Sequence, residues 1–152
     1  MKKDVLEIQD VLLLKPNIFK DKRGYFYESY NKKLFYDVTG LDCDFVQDNQ
    51  SFSKKGVLRG FHYQLPPVDQ GKLVRVIEGK IFDVAVDIRK ESKTFLNWIG
   101  VELSAENQNQ LWIPSGFAHG YLVMSENACL NYKTTNYYSP DHERTIIWND
   151  KS

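Results

Sequence analysis

At 152 residues, with 42% apolar and 26% charged side chains, the chain has the composition of one folded domain spanning residues 1–152, and it is too apolar to be disordered. Its 20 Lys and Arg balance 20 Asp and Glu, so no global field draws it to nucleic acid or an anionic membrane, and anion binding must come from a local cluster. Two distant cysteines, Cys43 and Cys129, make no disulfide framework, and the apolar run at 11–14 is too short for a signal sequence or a membrane span, so buried thiols and a cytoplasmic location are expected.

Residues 5–14 read as a first strand, and residues 19–24 as a charged turn. Residues 25–30 read as a second strand, with Tyr25 and Tyr27 on one face and Phe26 and Glu28 on the other. Asn31 is placed to cap a short helix over 32–38 that Gly40 closes. Residues 45–52 alternate, putting Gln47, Asn49 and Ser51 on one polar face. Further strands are expected at 57–64, 72–78, 80–88, 97–103, 110–113, 118–124, 128–137 and 143–148, with a tight hairpin at Glu78-Gly79-Lys80. Many short strands and one short N-terminal helix predict an all-β sandwich, barrel or jelly roll.

In 81–88 one face is Phe82, Val84, Val86 and Ile88, and the other carries Asp83, Ala85 and Asp87. If the second face lines an interior, its carboxylates need partners, because unpaired buried charge is costly. The alternative is a solvated outer face.

The stretch GVLRGFHYQLPPVDQGK at 56–72 gathers Arg59, His62 and Lys72 in a span broken by Pro66-Pro67 and Gly71. Two adjacent strands would bring these groups face to face, a set that suits an anionic ligand carrying a carbonyl. Arg59 and His62 have opposite parity in a flat strand, so a bulge at Gly60 is needed to put them on one face. Taken alone, the same residues also fit a solvated arginine and a satisfied core histidine.

Metal binding is disfavoured. The three histidines include no close pair, and Lys72 would repel a cation. No serine or cysteine sits in a nucleophile elbow. Acid–base chemistry remains: His62 as base, Tyr132 as an acid if a cationic neighbour lowers its pKa, and Lys72 as donor to an oxygen that gains charge. That set moves a proton on a carbon beside a carbonyl.

The chain resembles the dTDP-4-dehydrorhamnose 3,5-epimerase family, which has a cupin-type jelly roll (a double-stranded β-helix). The matching stretches run in the family's order over nearly the whole chain. They are Arg23-Gly24-Tyr25-Phe26-Tyr27-Glu28, Gln47-Asp48-Asn49, residues 57–64, residues 70–76, residues 82–87, residues 111–120, Tyr132-Lys133 and Asp141-His142-Glu143-Arg144.

The resemblance implies epimerisation of a dTDP-4-keto-6-deoxyhexose at C3 and/or C5, in a homodimer that uses no cofactor. It implies that His62 removes the proton, Tyr132 returns one from the opposite face, and Lys72 holds the C4 oxygen. Arg23 and Arg59 would grip the pyrophosphate, and Tyr138 would stack on thymine. Glu28, Gln47, Asn49, His119 and Glu143 match further substrate-contacting positions, and Asp83 matches a position from which it would orient the histidine base. The family continues past Trp148-Asn149-Asp150, where it supplies a carboxylate for that histidine, whereas this sequence stops at Ser152. A single-carbon epimerase and a non-catalytic nucleotide-sugar-binding cupin are the alternatives.

Overall fold

The computed structural model describes residues 1–150. In chain order the elements are β1 (Lys2–Val5), β2 (Leu12–Lys15), β3 (Phe19–Asp21), β4 (Gly24–Phe26), α1 (Lys32–Thr39), β5 (Gln47–Lys54), β6 (Leu58–Gln64), β7 (Lys72–Glu78), β8 (Lys80–Asp87), β9 (Trp98–Ser104), β10 (Gln110–Ile113), β11 (Phe117–Val123), β12 (Asn127–Thr134) and β13 (Glu143–Thr145). A sheet ordered β1-β2-β10-β7-β12-β5 faces a sheet ordered β13-β6-β11-β8-β9, and β3 and β4 form a separate hairpin. This is the expected jelly roll with one short helix.

Strand parity decides what lies between the sheets. In β7, Val74 and Val76 point inward with Lys72, while Leu73 points outward. In β8, Ile81, Asp83, Ala85 and Asp87 are buried, so the carboxylate-bearing face is the interior one. The inner faces bury Val74, Val76, Ile81, Ala85, Leu103, Leu111, Ile113 and Leu130 in one core. A second cluster lies outside the six-stranded sheet, where Phe35 of α1 packs on Leu12, Leu14, Leu73 and Trp112. The Asn31 side chain caps α1 by accepting from the Leu34 N–H at 3.0 Å, and Gly40 ends it at φ 77°.

Residues 19–24 are not merely a turn and 25–30 are not one strand: Phe19–Asp21 and Gly24–Phe26 pair as a short hairpin, and no strand runs over 27–30. Three further local expectations differ from the structure. Residues 5–14 do not form one strand: a turn closed by the Val11 N–H on the Ile8 carbonyl separates β1 from β2, and it buries both side chains. Glu78-Gly79-Lys80 is no hairpin, because β7 and β8 belong to different sheets. There the chain crosses from one sheet to the other, and the Lys80 N–H is taken by Ser125 Oγ at 2.8 Å. Consequently β6 and β7 are not adjacent strands either. His62 and Lys72 face one another across the interior instead.

The bulge at Gly60 is present. His119 pairs with His62 and Tyr121 with Arg59, so β6 spends one more residue than β11 over the same length. Gly60 has φ 131°, and a Cβ there would lie 2.4 Å from the Gly120 Cα. No other residue fits that crossing.

Candidate active site

One end of the interior opens into a cavity of about 330 Å³. The six-stranded sheet contributes Gln47, Asn49 and Ser51 from β5, Lys72 from β7 and Tyr132 from β12. The facing sheet contributes Arg59 and His62 from β6, His119 and Tyr121 from β11 and Glu143 from β13. Tyr132 lies between Asn49 and Val74 in the strand pairing, which places it on the inner face. The extra residue in β6 is what lets Arg59 and His62 share the cavity.

Lys72 is 9% exposed, and its Nζ donates to the His62 carbonyl at 3.4 Å across the interior. Burial pushes its ammonium down to about 8, although the Asp83 and Glu143 carboxylates oppose the shift. Burial also lowers His62. Glu143 raises it, and Lys72, His119 and Arg59 lower it further. The His62 Nδ1 lies 3.1 Å from Thr145 Oγ1 and 3.5 Å from Glu143 Oε1. Its Thr145 and Glu143 neighbours both come from β13.

Tyr132 differs from the expectation of a lowered pKa. Burial raises it, with Tyr121 and Glu143 adding to the effect, and Arg59 only partly offsets them. The phenol therefore keeps its proton near neutral pH. Arg59 donates through Nε to Ser53 Oγ at 2.9 Å, and Tyr121 is hydrogen-bonded to Ser51 at 2.9 Å. These bonds, with that of Lys72, tie the two sheets together around the cavity.

Asp83 is fully buried, and both its oxygens meet His119 Nε2, at 2.9 and 3.0 Å. It therefore does not orient His62 as expected. Its neighbour on β11 is nearer, and the carboxylate beside His62 is that of Glu143. Glu143 Oε2 also accepts from the Tyr138 hydroxyl at 2.8 Å. The Tyr138 N–H donates to Gln47 Oε1 at 2.9 Å, and Gln47 Nε2 donates to Asn49 Oδ1 at 2.8 Å.

Besides Asp83, which is buried behind His119, two expected site residues lie outside the cavity. Arg23, at the tip of the β3–β4 hairpin, is exposed and paired with Asp21. Glu28 accepts from the Asn31 side chain at 3.1 Å. Among the described residues no three of His, Cys, Asp and Glu converge as a metal-ligand set. Cys43 and Cys129 are free and half-buried rather than buried.

A family model described as dTDP-4-dehydrorhamnose 3,5-epimerase matches residues 5–152. The chain belongs to the dTDP-4-dehydrorhamnose 3,5-epimerase family. Relatives of that name from Shigella flexneri and Pseudomonas aeruginosa are 60% and 55% identical. The alignments cover 96% and 99% of this chain and 81% and 82% of theirs. A solved structure of dTDP-6-deoxy-D-glucose-3,5-epimerase from Legionella pneumophila, in complex with dTDP-4-keto-L-rhamnose, superposes with a TM-score of 0.95 at 50% identity. It covers 98% of this chain and 79% of that one. Membership makes this chain an isomerase.

For an epimerase of this family, three contributors to the cavity or its frame went unread in the sequence. Tyr121 has the parity of His119 on β11, and Gln64 has the parity of His62 on β6, so alternation held a signal for both. Gln64 accepts from the Ser139 N–H at 2.8 Å and donates to the Tyr137 carbonyl at 3.2 Å, which clamps the chain on either side of Tyr138. Thr145 gave no signal, because its nearness to His62 depends on which strand lies beside β6.

Proposed function

We propose that this chain epimerises a dTDP-4-keto-6-deoxyhexose at C3 and C5 by removing and returning a proton beside the C4 ketone. The observation that carries the reading is that His62 and Tyr132 enter one cavity from opposite sheets, with Lys72 lining the same cavity. His62 takes the proton, and the electron pair moves onto the C4 oxygen, where the Lys72 ammonium meets it. Below about pH 8 that ammonium is mostly charged. Tyr132, protonated, then delivers a proton to the opposite face, and the centre is inverted. His62 and Tyr132 regain their starting states by exchange with solvent, so the sugar is isomerised without net change. Each positioned acid or base contributes on the order of 10²–10⁴-fold.

Arg59 at the cavity edge is the phosphate ligand in this reading, and Tyr138 the nucleobase platform. Gln47, Asn49, His119 and Glu143 face the sugar nucleotide. Asp83 adds a buried negative charge that helps keep Lys72 protonated. The chain acts as a single-domain homodimer in the cytoplasm, with no nucleic-acid or membrane partner. The hairpin of β3 and β4, with Phe19, Tyr25 and Phe26 exposed, is the segment that meets the second copy. Arg23 and Glu28, outside their own chain's cavity, keep their ligand assignments only towards that copy. Among the described residues no helix is long and apolar enough to cross a membrane.

The test is incubation with dTDP-4-keto-6-deoxyglucose in D₂O. Deuterium at both C3 and C5 is expected, and exchange should be lost in His62→Ala. Deuterium at one carbon would make this a single-carbon epimerase. Saturable binding without exchange would make it a binding protein.

A further inference from the structure

Two arginines of the chain have their charge met by carboxylates: Arg23 pairs with Asp21, and Arg89 with Asp87 and Asp10. Arg59 is held differently. Among the described residues its partners are neutral oxygens: Nε donates to Ser53 Oγ at 2.9 Å, and Nη2 makes a long contact with the Phe52 carbonyl at 3.5 Å. Both partners belong to β5, in the sheet that faces β6. A carboxylate would fix the guanidinium and cancel its charge together. A hydroxyl fixes it and leaves the charge whole.

Which N–H is taken matters as much. The Nε–H and one Nη2–H share an edge of the planar group, and that edge is spent on β5. The terminal edge is left over, with one N–H from each Nη, and its spacing matches two oxygens of a phosphate. Arg59 lines the cavity, and its residue is exposed, so an unheld side chain there would spread over many rotamers that a ligand would have to order. Ser53 can prevent that because it is itself fixed: it pairs with Ala128 in the β5–β12 ladder and is 5% exposed. It shares the inner face of β5 with Gln47, Asn49 and Ser51.

We propose that Ser53 is a positioning residue: by taking the Nε–H it presents the terminal edge of Arg59 to the diphosphate of the sugar nucleotide before the ligand arrives. This role holds only if Arg59 is the phosphate ligand. The diphosphate is remote from the reacting carbons and is gripped alike in the ground and transition states, so loss of the hold raises KM and leaves kcat nearly in place.

The experiment titrates dTDP and thymidine separately into the full chain and follows turnover of dTDP-4-keto-6-deoxyglucose. Ser53→Ala should weaken dTDP by about three- to ten-fold, the cost of ordering one long side chain, and raise KM alike. Thymidine affinity and kcat should stay within about two-fold. Ser53→Thr, which keeps the hydroxyl, should restore dTDP affinity and KM. In an Arg59→Ala background Ser53→Ala should cost nothing more, because the two residues act through one contact. Unchanged dTDP affinity in Ser53→Ala, an equal loss for thymidine, or additive losses in the double variant overturns the proposal. If Ser53→Ala fails to fold, the wild type still decides: ¹⁵N NMR should show the Arg59 Nε–H slow to exchange before any ligand is added, and a fast-exchanging, averaged signal overturns the proposal. Arg59→Ala binding dTDP as tightly as wild type would instead remove the phosphate reading on which the role of Ser53 rests.

Discussion

Replacing Lys72 by methionine should make the protein more stable and nearly inactive. The Lys72 ammonium is forced from its ordinary 10.5 down to about 8 by burial, and each unit is worth about 1.4 kcal/mol. Keeping this group charged inside the fold therefore costs roughly 3 kcal/mol at neutral pH. Methionine fills similar volume without charge. It gives up the long bond to the His62 carbonyl, worth about 0.5–1.5 kcal/mol, and leaves a net gain of about 2 kcal/mol. In a chain this size that raises Tm by about 4–8 °C. The folded pKa lies below the unfolded one, so the unfolded chain binds more protons between them and wild-type stability rises with pH there. The advantage of Lys72→Met is thus full below about pH 8 and fades towards 10.5. Denaturant unfolding of both proteins at pH 7 and pH 10 measures the gap directly. Exchange in D₂O should fall by about 10²–10³-fold, the effect of losing one oxyanion donor. A Lys72→Met variant less stable than wild type at pH 7, or a gap that ignores pH, would refute the reasoning.

Glu143→Gln removes the one neighbour among the described residues that raises the His62 pKa, so the acidic limb of the rate profile should move to lower pH; a limb moving upward would contradict the assignment. Burial alone would raise Asp87, yet hydrogen bonds from Arg89, Ser92 and Thr94 overrule it and hold the carboxyl well below its ordinary value. Asp87→Ala should therefore cost about 3–5 kcal/mol in denaturant unfolding at pH 7. Because the folded pKa is depressed, that cost should shrink as pH falls below the ordinary carboxylate value of 3.8. Gly60→Ala places a methyl on the Gly120 backbone and should destabilise by at least about 2 kcal/mol; wild-type stability in that variant would mean that the crossing is looser than described.

Alternation carried most of what the sequence disclosed. It put Gln47, Asn49 and Ser51 on one face, and the same rule aligned Asp83 with Asp87 on what proved to be the interior. The parity conflict between Arg59 and His62, with a glycine between them, located the bulge. Short-range signals failed where two architectures use the same local chemistry. A glycine turn at Gly79 serves a hairpin and a change of sheet equally well, and only the pairing of β7 with β10 and β12 separates them. The partner of Asp83 and the backing of His62 were illegible for a related reason. Each depends on which distant strand becomes a neighbour, and nothing within several residues of either group encodes that. Arg23 and Glu28 matched a motif, and their motif neighbours built a surface hairpin.

The strand order also sets a timetable for synthesis. A chain emerging from the ribosome presents His62 and Lys72 well before Tyr132 and β13. Among the described residues the edge strand β5 pairs with β12 alone, and Glu143 and Thr145 beside the imidazole are made later still. Reactivity is thus withheld at least until β12 and β13 have joined their sheets, so a half-made copy carries no working chemistry to spend on a reactive ketone.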